Sequence, residues 1–234
     1  MDFDLNEEQR ILQQSVREWA EARVAPFASE LDEHHRYPED QVREMAEMGL
    51  LGMCVPEEWG GAGMDSLSYA IAMEEVSRAC ASTGVIMSVN NSLVCDPLMK
   101  WATDAQKEQW LRPLATGDKL GCFALSEPGT GSDAAAQTCM AVPDGDEWVI
   151  DGTKNWITNG NSASIYLVIA QTSPELGHRG INSLIVERDM PGFMVGAKED
   201  KMGIRGSDTH TLMFQDVRVP KENRIGEDGF GFKF

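Results

Sequence analysis

The stretch that decides the fold runs from Leu120 to Gly152, LGCFALSEPGTGSDAAAQTCMAVPDGDEWVIDG. Up to Leu120 apolar residues recur every three or four positions. From Leu120 they come in short runs cut by turn residues, which is the change from a helical period to a strand period. Inside the stretch, Gly129-Thr-Gly131-Ser-Asp-Ala134 has the form of a dinucleotide fingerprint, and Asp151 lies twenty residues beyond Gly131. That fingerprint requires a helix and then a parallel strand after the glycines. Here the chain runs instead into Asp144-Gly145, which closes a hairpin. The glycine segment is therefore a loop in a β-domain of several antiparallel strands, and a doubly wound nucleotide fold is set aside.

Upstream, the chain reads as about five helices. Leu12, Val16, Trp19, Ala20, Val24, Phe27 and Leu31 form one apolar stripe behind an Asn6–Gln9 capping box, with Pro26 expected to kink or split the helix. Pro38 opens a second helix that stops at Gly49. Ser66 to Cys80 and about Thr83 to Cys95 follow. Thr103 with Gln106 caps a fifth helix ending near Gly117. Glu74 and Glu75 read as a solvated helix face.

Downstream, LGCFALS, EWVIDG, SIYLVIAQ, INSLIVE and HTLMFQDVRV read as strands. Glycine usage separates the two grammars, with 7 glycines in residues 1–120 and 15 in 121–234. The expected fold class is thus α+β and multidomain: residues 1–120 an all-helical domain, 121–228 a β-domain, and 229–234 the start of a further helical domain. The abrupt end at Phe234 suggests a missing C-terminal region.

The 234 residues carry 20 basic and 38 acidic side chains, a net charge of −18, with 22 acids against 10 bases in residues 1–120. So acidic a surface repels phosphate backbones and anionic lipid, and no local basic patch offsets it, so nucleic-acid binding is not expected. No run approaches a membrane span, so no membrane insertion is expected, and MDFDLNEEQR has neither a basic leader nor an apolar signal core. The five cysteines are odd in number, scattered and free of CxxC spacing. They read as reduced thiols, which places the protein in the cytoplasm. His34, His35, His178 and His210 have no metal-ligand spacing, so no metal site is expected.

Two motifs carry chemistry. In FALSEPGTGSDAAA, Ser126, Gly129, Gly131 and Ser132 place hydroxyls and open backbone amides in a loop just after a strand, an arrangement that can hold a pyrophosphate. In KNWITNG, Lys154 to Gly160, Trp156 supplies a flat face and Thr158 a hydroxyl two residues on, hence on the same side of a strand. Stacking plus one hydrogen bond suits a flat heteroaromatic cofactor. Met202 to Ser207, MGIRGS, reads as a surface turn. There is no nucleophile elbow and no P-loop.

Taken in order, PEEWGGAG, ALSEPGTGSDAAA, KNWITNG and DKMGIRGSDTHTLMFQDVRVPKENRIGE resemble the acyl-CoA dehydrogenase family, most closely its short-chain, butyryl-CoA branch, along essentially the whole chain. The resemblance implies a helical domain, a β-barrel-like middle domain and a C-terminal helical bundle, assembled as a homotetramer. It implies FAD as cofactor, with Phe123, Ala124, Leu125, Ser126, Gly131 and Ser132 lining its site and Trp156, Ile157 and Thr158 against the isoalloxazine. Ser132 would also touch the acyl-CoA substrate. The implied reaction is α,β-dehydrogenation of a fatty acyl thioester, as in β-oxidation, with electrons passed to an electron-transfer flavoprotein. The family's catalytic base, a Glu in the short-chain branch, is expected beyond Phe234, and Glu127 reads as a loop-fixing carboxylate. Two other readings of the same residues are a non-catalytic flavin- or CoA-binding remnant and an acyl-CoA oxidase.

Overall fold

A computed structural model describes residues 4–234. The helices come first. α1 (Glu7–Trp19) starts at the expected capping box, Asn6 Oδ1 accepting from the Gln9 N–H at 2.8 Å and Gln9 Oε1 from the Asn6 N–H at 3.1 Å. A wide π turn, Ala20–Val24, separates α1 from α2 (Ala25–Glu33), with Pro26 in the first turn of α2. Proline lacks the N–H that a continuous helix would need there, so the helix widens just before it. α3 (Glu39–Glu47) follows Pro38 and ends before Gly49 at φ +72°. α4 (Ser66–Ala79) is capped by Asp65, and α5 (Ala81–Ser88) runs through a π turn at Val89–Cys95 into α6 (Asp96–Trp101). The Thr103–Gln106 box caps α7 (Asp104–Gln106), which leads through a π turn to α8 (Arg112–Thr116). Gly117 at φ +82° ends it.

All strands lie after residue 120: β1 (Gly121–Ala124), β2 (Met140–Asp144), β3 (Glu147–Thr158), β4 (Ile165–Gln171), β5 (Ile181–Glu187), β6 (Phe193–Lys198), β7 (Thr209–Pro220) and β8 (Arg224–Ile225). The sheet order is β6-β7-β3-β2-β4-β5-β8, with β1 alongside β4. The expected antiparallel barrel is corrected here. β1 and β4 run parallel, β2 touches β4 in parallel at Met140 and Gln171, and among the described residues no ladder joins β6 to β8. The sheet is mixed and open. The hairpin is one residue later than expected, with Asp144 paired to Glu147 and Gly145 at φ +60° heading a two-residue turn. β6 and β8 lie outside the strands expected from the sequence.

β4 shows how the two parts join. All seven of its residues are buried, because both its faces are covered. Tyr166, Val168 and Ala170 pack into the sheet's own core with Leu184, Val186, Leu212 and Phe214. Ile165 and Leu167 face the helices and pack with Val94, Leu98, Trp110, Leu111 and Leu114. Burying each such side chain contributes about 1.5–3 kcal/mol. Polar pins reinforce the seam. Asn90, in the π turn, donates through Nδ2 to the Leu51 and Leu114 carbonyls, while its Oδ1 accepts from the Gly121 N–H at 2.8 Å.

Glu75 differs from expectation. It is buried, because Arg17 of α1 grips both its oxygens at 2.5 and 2.9 Å and Arg78 adds a third contact. Only Glu74 remains of the solvated face. The MGIRGS turn is a surface turn as expected, exposed from Met202 to Ile204, and the Arg205 N–H ties it to α2 by donating to Asp32 Oδ1 at 2.8 Å. Among the described residues no helix is long and apolar enough to cross a membrane, and no cluster of His, Cys, Asp and Glu could hold a metal ion.

Candidate functional site

The two chemical motifs meet. β1 and its continuation run alongside the last third of β3 in the opposite direction, pinned at both ends. The Asn155 N–H donates to the Ser126 carbonyl at 2.8 Å, and Asn159 Nδ2 donates to the Gly121 carbonyl at 3.1 Å. Phe123 to Ser126 are thereby brought beside Trp156 to Thr158.

Trp156 owes its orientation to a bulge. Lys154 pairs with Leu212 and Ile157 with His210, so the β3–β7 register shifts across Asn155 and Trp156. In a regular strand Trp156 would share the face of Lys154, two residues earlier, which is fully buried. The inserted residue and a left-handed backbone at Trp156, φ +61°, turn the indole outward instead. Trp156 is 59 % exposed, and Ile157 next to it is buried. Thr158 is half-buried. A left-handed conformation in a bulky residue is a strained arrangement of the kind found at ligand-binding positions.

The loop beside it is held from beneath. Glu127, buried, accepts from the Thr138 N–H at 2.7 Å, the Thr138 hydroxyl at 2.5 Å and the Cys139 N–H at 3.0 Å. It also pairs with the Lys154 ammonium at 2.8 Å. Lys154 completes its coordination with the Leu125 carbonyl at 3.0 Å and Gln137 Oε1 at 2.5 Å, so all three of its N–H groups are used. Burial pushes the Glu127 carboxyl up, and the Lys154 and Thr138 donors overcome this to hold it below the usual carboxylate range. Glu127 is a loop-fixing carboxylate, as expected. Gln137, Thr138 and Asn155 belong to the site without standing out in the sequence, since each acts by bonding a partner remote in the chain.

The other expected site residues divide into two groups. Phe123 and Leu125 line a cavity of about 470 Å³ together with Leu93, Pro97, Trp101 and Ala134. Ala124 and Ile157 have their side chains in the sheet core. Ser126 is half-buried, and Gly131 and Ser132 sit exposed at the loop tip.

Residues 6–118 match the N-terminal domain of acyl-CoA dehydrogenases and residues 122–217 their middle domain. The chain belongs to the acyl-CoA dehydrogenase family. It is 53 % identical over 230 residues to the mitochondrial short-chain specific acyl-CoA dehydrogenase of Bos taurus, covering 98 % of this chain and 56 % of that protein. Among solved structures it resembles butyryl-CoA dehydrogenase from Megasphaera elsdenii, with a TM-score of 0.96 at 41 % identity over 100 % of this chain and 62 % of that one. A glutaryl-CoA dehydrogenase from Mycobacterium smegmatis, in complex with FADH2, gives a TM-score of 0.90 at 33 % identity over 97 % and 58 %. The chain thus spans a little over half the length of these relatives.

The glycines of the loop bear on whether a flavin dinucleotide fits this acyl-CoA dehydrogenase chain. A Cβ on Gly129 or Gly131 would meet nothing within 4 Å, and neither has a positive φ. Neither packing nor backbone conformation within the chain calls for glycine there. What glycine leaves is a bare backbone open to the outside, in the loop whose Ser126 carbonyl is bonded by the residue before the exposed Trp156. That is room for a phosphate-bearing flat ring system, and the residues fit the group.

Proposed function

We propose that this chain forms the flavin- and thioester-binding part of an FAD-dependent acyl-CoA dehydrogenase that converts a short-chain acyl-CoA to the trans-2-enoyl-CoA and passes the electrons to an electron-transfer flavoprotein. The observation that carries the reading is the outward Trp156, held in left-handed backbone next to Asn155, whose N–H bonds the Ser126 carbonyl. Bound FAD would supply the acceptor for the β-hydrogen of the thioester.

The chain's own residues bind and orient. Trp156 offers its indole face to the ring, and Thr158 a hydroxyl to the ring's edge. Ser126, Ser132 and the bare amides around Gly129 and Gly131 suit a pyrophosphate, and Ser132 at the tip also reaches toward the CoA moiety. Phe123 and Leu125, with Leu93 and Trp101, give the cavity an apolar wall that excludes water from an acyl chain. Glu127 is committed to Thr138, Cys139 and Lys154, and Asp96 at the cavity is paired with Lys100 at 2.6 Å. Neither is proposed as the base for the α-proton; that role goes to the Glu that the family resemblance implies.

A homotetramer and a cytoplasmic location complete the proposal, the latter supported by five unpaired cysteines. The intact protein should be yellow and should bleach when butyryl-CoA is added without oxygen. A well-folded protein that takes up no FAD overturns the reading.

A further inference from the structure

We propose that Lys154 is a positioning residue for the flavin site, its buried ammonium holding the 125–137 loop against β3 so that Asn155 leaves the strand ladder and Trp156 turns outward. This rests on the flavin reading and deepens it. The ammonium is fully buried and bonds three acceptors from two parts of the loop: the Leu125 carbonyl, Glu127 and Gln137. An apolar side chain would fill the same core volume without an ion pair. Buried ion pairs are poor stabilisers compared with packed hydrophobic residues, so the need met here is positional. The next residue shows what is positioned. The Asn155 N–H bonds the Ser126 carbonyl instead of β7, and the ladder resumes only at Ile157. The loop's pull on Lys154 and Asn155 thus creates the bulge, and the bulge flips Trp156 from the buried face to the open one.

The role predicts that weakening the ammonium's grip changes flavin binding in protein that remains folded. Lys154→Arg keeps the charge but spreads its donors in a plane, so it cannot reach three diverging acceptors. Gln137→Leu removes one acceptor and leaves the Glu127 pair intact. FAD titrated into apoprotein should bind at least tenfold more weakly in both variants, with an altered visible circular dichroism of the bound flavin. The Asn155 amide should exchange with solvent at least tenfold faster in flavin-free Gln137→Leu.

Glu75→Gln, at the buried Arg17 pair, is the control. It should lower Tm while leaving FAD affinity and Asn155 exchange within twofold of wild type. Should Lys154→Arg not fold, Gln137→Leu decides alone. Folded Gln137→Leu with wild-type FAD affinity and wild-type Asn155 exchange overturns the proposal. A wild type that binds no FAD overturns the flavin reading only, and amide exchange still decides the role of Lys154.

Discussion

The Asn155 N–H and the Ser126 carbonyl, 2.8 Å apart, join the two motifs on which the functional reading rests. Through that bond a loop and a strand tip hold one geometry, and Trp156 sits next to it in strained backbone at φ +61°. Because the indole is mostly exposed, removing it loses little buried area. Trp156→Gly should therefore be more stable than Trp156→Ala by about 1 kcal/mol, since only alanine retains the Cβ clash of the left-handed form. Both should lose FAD affinity. Denaturant unfolding of the two variants checks the order, and equal stabilities would mean that the strain is absent.

Much of this was legible in the sequence where the cause is local. The Asn6–Gln9 and Thr103–Gln106 capping boxes, the Pro26 break and the Gly117 stop each involve residues within four positions of one another. Trp156 and Thr158 were visible as a pair, but the bulge that exposes them was not. It arises from Lys154 bonding Gln137 and Leu125, 17 and 29 residues away. The burial of Glu75 is hidden for the same reason, its partner Arg17 lying 58 residues upstream. β6 gives little sequence signal because FMVGAK is short and interrupted by Gly196, and its place depends on pairing with β7. The parallel pairing of β1 with β4 leaves no local signal at all.

Gly131→Ala should separate folding from binding. Its Cβ would meet nothing within 4 Å, so the unfolding free energy should change by less than about 0.5 kcal/mol, while FAD affinity falls because the methyl group occupies the open backbone. Gly152→Ala is the counter-case. There φ is +150° and a Cβ would lie 2.7 Å from the Cys139 Cα, so the sheet must shift and Tm should drop clearly. Unchanged FAD affinity in Gly131→Ala would remove the loop from the site.

Stability should fall in acid, and Glu127 should account for part of the fall. Its carboxyl is held below the usual range, as are those of Glu75, bonded by Arg17, and Glu44, bonded by Arg23. A carboxyl with a lowered folded pKa binds fewer protons folded than unfolded. Its contribution is complete above the ordinary Glu value of about 4.3 and is lost as pH drops through the folded value. Unfolding free energy should thus be nearly flat from pH 7 to 5 and decline below. Glu127→Gln should flatten that decline by up to about 1.4 kcal/mol per pH unit, and an unchanged slope would show that the pair does not titrate on unfolding.

Thiol labelling gives a direct test of the seam between helices and sheet. Cys54 is exposed, whereas Cys80, Cys95, Cys122 and Cys139 are buried, and burial pushes the Cys139 thiol up to about 11. At pH 8 one thiol per chain should react readily in the native protein and four more only on unfolding. Fast labelling of Cys95 or Cys122 would mean that the helices lift off the sheet in solution.

Asn90 should be the costliest polar side chain to remove at that seam. It is fully buried in the π turn and satisfies three backbone groups from three segments: the Leu51 and Leu114 carbonyls and the Gly121 N–H. Asn90→Ala strips its amide from all three in a dry interior, leaving the Leu51 carbonyl only a long Cys95 Sγ contact, at about 1–3 kcal/mol for each group that water cannot reach. A total loss of about 3 kcal/mol or more is expected in chemical denaturation. Tyr37→Phe provides the contrast, because the buried Tyr37 hydroxyl has no partner in good hydrogen-bond geometry among the described residues. Deleting it strands nothing, so stability should hold or rise slightly. A loss in Tyr37→Phe comparable to that in Asn90→Ala would mean that partner satisfaction does not govern this seam.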